Sequence, residues 1–405
     1  MRRCRNARPM RSGHRDRGIV LAIVLVLIFA LVTAVYAFQR RAIVDATIGR
    51  NRMDAMEADA LARGGLRIAE ALLMVVRAKY LGGEAGGNDE DRDAPPGLAA
   101  LAGGGTGGVD ALWQGIGRTP IRFEDERSLR IEIEDEGIKL NLNALVPPLG
   151  LPEVGGDEDE REAAGSDADR EDDDGQSNAS EEAVEYLTEV LDYIVDGMDR
   201  AEDSAAYDSE AIAENLLDFI DGDTTAVNGR NEDEYYRRQD PPYRAWNRPY
   251  VSVDQIGLVE GVDPPLLEAL RRYVTVHPIA STSGINLNRA EPWVLKLAYS
   301  GTSGNRRLLD DKMVEDLYKL RSGGKLVCDD AGSDPRCVTR ADVGNGDLAN
   351  GSVYPPAALP AKPSVFRVVT TATVGDLTRR LEAIYDTRPP AGPQLLSWRR
   401  LRGVD

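Results

Sequence analysis

The chain has 405 residues, enough for two or three domains, and a formal net charge of -19. That acidity disfavours nucleic acid and anionic membrane surface as partners. With two histidines in the whole sequence, His-based catalysis and His-rich metal centres have little material to work with.

Positions 2–17 hold seven arginines against Asp16, so the remainder of the chain is more acidic still, at about -25. Arg17-Gly18 is followed at once by an uncharged apolar run from Ile19 to Phe38, long enough for a helix to cross a hydrocarbon core. Three readings fit this segment. It could be a secretory signal cut near Val35-Tyr36-Ala37, an uncleaved anchor, or an anchor whose short basic leader is removed between Gly18 and Ile19. Apolar residues continue at helical spacing beyond Phe38 (Ile43, Val44, Ile48, Met53, Met56, Leu61, Leu66, Leu72, Leu73, Val76) without a proline. One helix is therefore expected from Ile19 to about Tyr80, weakened at Gly64-Gly65. The basic leader, against only Arg40 and Arg41 just after the span, places the N-terminus in the cytoplasm and the bulk of the chain outside.

Gly82 to Gly108 reads as a loop. Leu129, Ile131 and Ile133 alternate, Glu136-Gly137 supplies a turn, and Ile138, Leu140 and Leu142 resume the alternation, so 127–143 is expected to be a β-hairpin. The tract 153–182 carries 14 acids and two arginines with almost no large apolar residue, and is expected to be unstructured or a solvated loop. From Glu182 to about Leu320 the pattern is helical and strand-poor. Helices are expected at 184–195 and 211–220, then at 253–259 behind an N-cap at Ser252. Others follow from Asp263-Pro264-Pro265 to Val274, from Asn288 or Arg289 to near Gly301, and over 310–320. Strands return at Ser364–Thr373 and Arg379–Thr387 around a turn at Val374-Gly375-Asp376. Strands at both ends of a helical block imply a sheet split by an insertion.

Cys4 lies in the leader. Cys328 and Cys337 form an even pair in an oxidising compartment, which suggests a small-loop disulfide. The acids Asp218, Asp221, Asp223, Glu232 and Asp233 suggest a hard-cation site for Ca2+, since calcium takes six to eight oxygens and closely spaced carboxylates supply several. Turn and capping roles fit the same residues. Asp329, Asp330 and Asp334 form a second, weaker set. No residue order fits a hydrolytic triad, a phosphate loop or a zinc protease motif, so no catalytic residue is assigned and the chain is not expected to be an enzyme.

The Gly18–Ile19 junction resembles the processing site of type IV pilin-like proteins. Further matches are Ile133-Glu-Asp-Glu-Gly-Ile-Lys-Leu-Asn-Leu-Asn143, Leu217-Asp-Phe-Ile-Asp-Gly-Asp223, Asn228 to Tyr236, Pro241 to Pro249, Ser252 to Asp263 and Ile285-Asn-Leu-Asn-Arg-Ala-Glu-Pro-Trp-Val-Leu295. With these, nearly the whole chain resembles minor pseudopilin K of the type II secretion system, the general secretion pathway K family. The resemblance implies an α+β, pilin-like fold: a long N-terminal helix on a small antiparallel sheet, with a large inserted α-helical domain of sterile-alpha-motif-like type. The implied division is leader 1–18, helix 19–80, first sheet part 81–150, acidic insertion 151–182, helical domain 183–354 and second sheet part 355–405.

The resemblance also implies cleavage between Gly18 and Ile19 by a prepilin peptidase and N-methylation of Ile19. It implies single-pass residence in the inner membrane with the C-terminal part in the periplasm. The implied role is a pseudopilus tip subunit that starts fibre assembly with minor pseudopilins I and J, alongside other pseudopilins and the inner-membrane assembly platform, and it strengthens the calcium reading. Most pilin-like subunits carry Glu at the fifth mature position, where it neutralises a neighbour's terminal amine. Here that position is Ile23 and the first acid is Asp45, which suits a subunit with nothing above it. Two other functions compete. Helix-hairpin-helix elements at 253–274 and 285–297 would suit a membrane-anchored DNA-uptake module, although the acidic surroundings argue against nucleic acid. An anchored hydrolase is the other.

Overall fold

The computed structural model describes residues 15–81, 113–124, 126–146, 171–199, 206–222, 229–279, 284–301, 306–330, 335–343, 348, 352–355, 359 and 361–402, with the side chains of 15–19, 79–81, 171–180 and 352–353 left aside. The first helix, α1 (Arg15–Leu81), is one unbroken rod of 67 residues, about 100 Å long at 1.5 Å per residue. Its second half buries Ala58, Ala62, Leu66, Ala69, Leu73 and Val76, a three-and-four spacing that keeps one stripe of small and apolar side chains against the sheet.

That sheet has five antiparallel strands in the order β1 (Ile121–Phe123), β2 (Arg127–Asp135), then β10 (Val365–Val374), β11 (Leu377–Asp386) and β12 (Gln394–Leu401) from the far end of the chain. In β2 the alternation places Leu129, Ile131 and Ile133 under α1. The second arm of the expected 127–143 hairpin does not exist. The Asp135 side chain accepts a hydrogen bond from the Gly137 amide at 3.0 Å and opens a 3-10 turn over 136–138. The chain then leaves the sheet. β3 (Leu140–Asn141) pairs in parallel with β4 (Val274–Thr275) instead. Leu140 and Leu142 are fully buried, but in a second core. Period two does not hold in this stretch: a two-residue strand stands between 3-10 turns at 136–138 and 142–144, and 140–145 are buried without alternation.

The second core belongs to a unit inserted between β2 and β10. It contains α2 (Glu171–Asp196), α3 (Ser209–Asp218), α4 (Pro264–Leu270) and α5 (Asp311–Ser322), with single helical turns at 233–236 and 292–295. The acidic tract is a correction in part. Residues up to 170 lie outside the described residues, as does the 82–108 loop, but 171–182 is the first half of α2, not a loop. Four consecutive acids at 171–174 sit at its N-terminus, where the helix dipole favours negative charge, and the amphipathic stretch 183–195 supplies the packing. Ser252 caps the 3-10 helix 253–258 through a capping box with Gln255, and Asp263 and Asp310 cap α4 and α5. Two expected helices shorten. The one from Asp263 ends at Leu270, so that Val274 joins β4, and the one from 288 to 301 reduces to a turn followed by β5 (Tyr299–Gly301). β5 pairs with β6 (Arg307–Leu308) and β9 (Ser352–Tyr354). β7 (Leu326–Cys328) and β8 (Cys337–Thr339) pair in parallel.

Two Asn-Leu-Asn segments staple this unit together. Asn143 donates to the Tyr250 and Val276 carbonyls and accepts from the Tyr250 amide. Asn288 donates to the Val327 carbonyl and accepts from its amide. A buried carboxamide satisfied on both ends fixes two backbone segments at once.

β10 (Val365–Val374) then returns beside β2, with Asp135 opposite Phe366 and Arg127 opposite Val374. It turns at Gly375, whose φ of 56° lies in the left-handed region, into β11 (Leu377–Asp386). β12 (Gln394–Leu401) forms the far edge and is exposed along nearly all its length.

Candidate functional site

The first candidate is the membrane-proximal helix. Val20 to Phe38 lies in one continuous turn register with the part of α1 that packs on the sheet, and this helix is long and apolar enough to cross a membrane. Its apolar side chains face outward all round: Ile23 is 54% exposed and Phe29 and Phe38 are 75% exposed. A helix apolar on every side has no use for water and suits lipid or neighbouring helices. Gly18 and Ile19 fall inside α1, which begins at Arg15.

The second candidate is the acidic loop. Asp218 is the last residue of α3 and is 4% exposed; Glu232, just before the turn at 233–236, is 8% exposed. Both line a cavity of about 260 Å³ together with Asn215, Tyr236, Arg230 and Glu260. Phe219 stacks on Tyr250 at 5.9 Å and meets Tyr236 edge-on at 5.3 Å, which anchors the wall. Burial, then the nearby charges of Glu260 and Asp218, push the Tyr236 phenol well above its ordinary value, so it remains a neutral donor.

Of the five acids in the expected calcium set, Asp218 and Glu232 share this cavity. Asp233 does not join them. It accepts from the Arg237 guanidinium at 2.7 Å and the Ala245 amide at 3.1 Å, with Arg244 at 3.8 Å, and so fastens the following loop. Asp221 follows α3 without lining the cavity, and Asp223 lies outside the described residues. Among the described residues no three His, Cys, Asp or Glu side chains converge in metal-ligating geometry. The Asn215 carboxamide, three residues before Asp218 on the same helical face, is an oxygen donor the acid pattern overlooked, as is Glu260.

Cys328 and Cys337 are disulfide-bonded, closing the loop between β7 and β8. Asp329 accepts from the Leu359 amide at 2.8 Å and lies 3.4 Å from Arg340. It is a structural clip, Asp330 is exposed beside it, and Asp334 lies outside the described residues.

A third cluster, which the motifs did not reveal, joins the two cores. Arg367 on β10 reaches Glu134 at 2.5 Å, Glu382 at 3.2 Å and Glu136 at 3.8 Å. Arg399 on β12 bridges Glu382 and Asp254, both at 2.7 Å, and Asp254 is also held by Arg271 of the inserted unit. Arg289 lies over the Trp113 ring at 5.2 Å and 3.9 Å from Asp135. These contacts set the inserted unit against the sheet.

A membrane-length helix continuing onto an antiparallel sheet, with a separate unit inserted between two of its strands, defines an α+β protein of pilin-like fold. Residues 138–279 match the family model described as type II secretion system (T2SS), protein K, and lie wholly inside the insertion. This stretch of the inserted unit is thus similar to protein K of type II secretion. No curated protein matches the sequence. Among solved structures, one similar chain belongs to the GspK-GspI-GspJ complex of the type 2 secretion system of enterotoxigenic Escherichia coli. It is 16% identical, the match covers 87% of this chain and 100% of that one, and the TM-score is 0.47.

Proposed function

We propose that this chain is a minor pseudopilin of type II secretion that caps the tip of the pseudopilus and starts its assembly, with a structural rather than a catalytic role. The observation that carries the reading is the match of residues 138–279 to the protein K family, within a unit inserted into a sheet whose packing helix runs unbroken into a membrane-length apolar segment. Such a helix can be held in lipid and then drawn into a fibre of like helices without refolding. Placement at the tip is supported by Ile23, which offers no carboxylate to a neighbour's amine, and by the bulk of the insertion, which a tightly packed shaft would not accommodate. The proposed partners are minor pseudopilins I and J, the other pseudopilins, the assembly platform and a prepilin peptidase that cuts at Gly18 and precedes methylation of Ile19. The proposed location is the inner membrane, with the C-terminal part periplasmic.

N-terminal sequencing after co-expression with the cognate peptidase tests this: a start at Ile19 is expected, whereas a start at Phe38 or Met1 overturns it. We also propose that calcium binds the acidic loop. Asp218, Glu232 and Asn215 would supply hard oxygens, with the remaining positions of the ion left to water. Millimolar calcium should then raise the melting temperature, and an unchanged melting curve removes the proposal.

A further inference from the structure

His277 lies two residues past β4, where the inserted unit meets the sheet, and is 4% exposed. Its backbone amide donates to the Thr275 hydroxyl at 3.2 Å, and that hydroxyl in turn donates to the Glu136 carboxylate. The imidazole Nδ1 is fully buried and has no hydrogen-bond partner. The charged groups that act on the ring come from both sides of the junction. Glu136 stands in the turn where the chain leaves β2, and Asp386 and Arg388 stand at the end of β11.

Each of these is already engaged. Glu136 is held by Thr275, with Arg367 3.8 Å away. Asp386 is gripped by Arg388 through Nε at 3.1 Å to both carboxylate oxygens and a terminal nitrogen at 2.7 Å. A neutral imidazole fits this setting, because its unpartnered Nδ1 can be the acceptor nitrogen. An imidazolium does not. Both its nitrogens must donate, and Nδ1 has no acceptor where it stands, so protonation leaves a buried N–H unpaired unless the junction around Glu136 and Asp386 shifts.

We propose that His277 is a proton-operated latch between the inserted unit and the pilin-like sheet: the neutral ring holds the two together, and protonation frees the inserted unit to reorient. Burial lowers the His277 pKa below its ordinary value, with Arg388 acting in the same sense and Glu136 and Asp386 opposing. The neutral form is thus the native one. Its contribution is fully present above about pH 6.5, the unfolded value, and drains away as the pH falls through the lower folded value.

The chain has only one other histidine, His14, so the full chain carrying His14→Gln in detergent micelles gives a single histidine signal by 13C-histidine NMR. A titration midpoint below about 6.5 is expected; a midpoint at or above it overturns the latch. Spin labels at Asp376→Cys on the sheet and Tyr318→Cys on α5, both exposed positions, in a Cys4→Ser background report the distance between the two units. One narrow distribution at about pH 7.5 should broaden severalfold at about pH 5 and recover on return. In His277→Gln it should not change with pH. Broadening of the same size in that variant, or none in the parent, overturns the proposal.

Discussion

At the residue scale, Gly64 and Gly65 look alike in sequence, as a paired weakness in a long helix, but the fold gives them opposite roles. A Cβ on Gly64 would meet nothing within 4 Å, whereas one on Gly65 would fall 2.9 Å from the Thr370 methyl and 3.0 Å from the Leu129 methyl. Gly65 is the point where α1 rests directly on β2 and β10. Gly64→Ala should therefore stabilise the protein by up to about 1 kcal/mol through helix propensity alone. Gly65→Ala has the same propensity gain but must push two buried side chains aside, at about 1–3 kcal/mol, for a net loss of about 1 kcal/mol. Thermal melts of the two variants in the same detergent check this. Equal shifts of the same sign would contradict the close approach of helix and sheet.

At the scale of elements, the central pair β2–β10 turns its mostly apolar face to α1, and its other face carries Arg130, Glu132 and Glu134 of β2 and Arg367 of β10. Arg367 sits there among Glu134, Glu136 and Glu382; Glu136 and Glu382 are buried. Arg367→Met should cost about 3 kcal/mol, most of it from leaving buried carboxylates without their cation. Adding Glu136→Gln should recover part of that loss, because the two changes act on one network. Urea unfolding of the two variants reads the coupling, and strictly additive losses would mean the network is not shared. The charges themselves could be seen in the sequence, but their convergence could not, because Glu134 and Arg367 are brought together only by strand register across the whole insertion.

The same limit explains the other departures. The alternation of 129–133 gave β2 correctly. The alternation of 138–142 looked identical, yet served a different core. β12 showed no alternation because both of its faces are largely exposed, and it is a strand by pairing with β11 alone. Asp233 was grouped with Asp218 and Glu232 by proximity in sequence, while the arginine at 237, one helical turn on, was the local sign that its carboxylate is committed elsewhere. The split sheet, by contrast, was legible from the order of elements, because a strand-rich start and end enclosing a helical middle leave little alternative.

At the scale of the whole molecule, the two cores share no residue. The sheet core is made by α1, Trp113 and strands β2, β10 and β11, and the other core lies entirely between Leu140 and Leu359. The entry and exit of the insertion are also adjacent, since Asp135 and Phe366 face each other across antiparallel strands. Joining them through Asn-Gly, in place of 136–365, converts the pair into a hairpin with a favoured two-residue turn. The shortened chain should keep α1, the sheet and a cooperative unfolding transition. It loses the Arg289–Trp113 and Arg399–Asp254 contacts, worth about 1–3 kcal/mol together as partly exposed pairs. Circular dichroism and thermal melting check this, and a chain that no longer unfolds cooperatively would mean the sheet depends on the insertion. The same variant bears on the proposed tip position. If bulk and the missing carboxylate at position 23 are what exclude this subunit from the shaft, then the shortened chain carrying Ile23→Glu should enter it. Immunogold labelling would then be expected along purified fibres rather than at one end, whereas labelling still confined to one end would place the determinant elsewhere, in the contacts made by α1 itself.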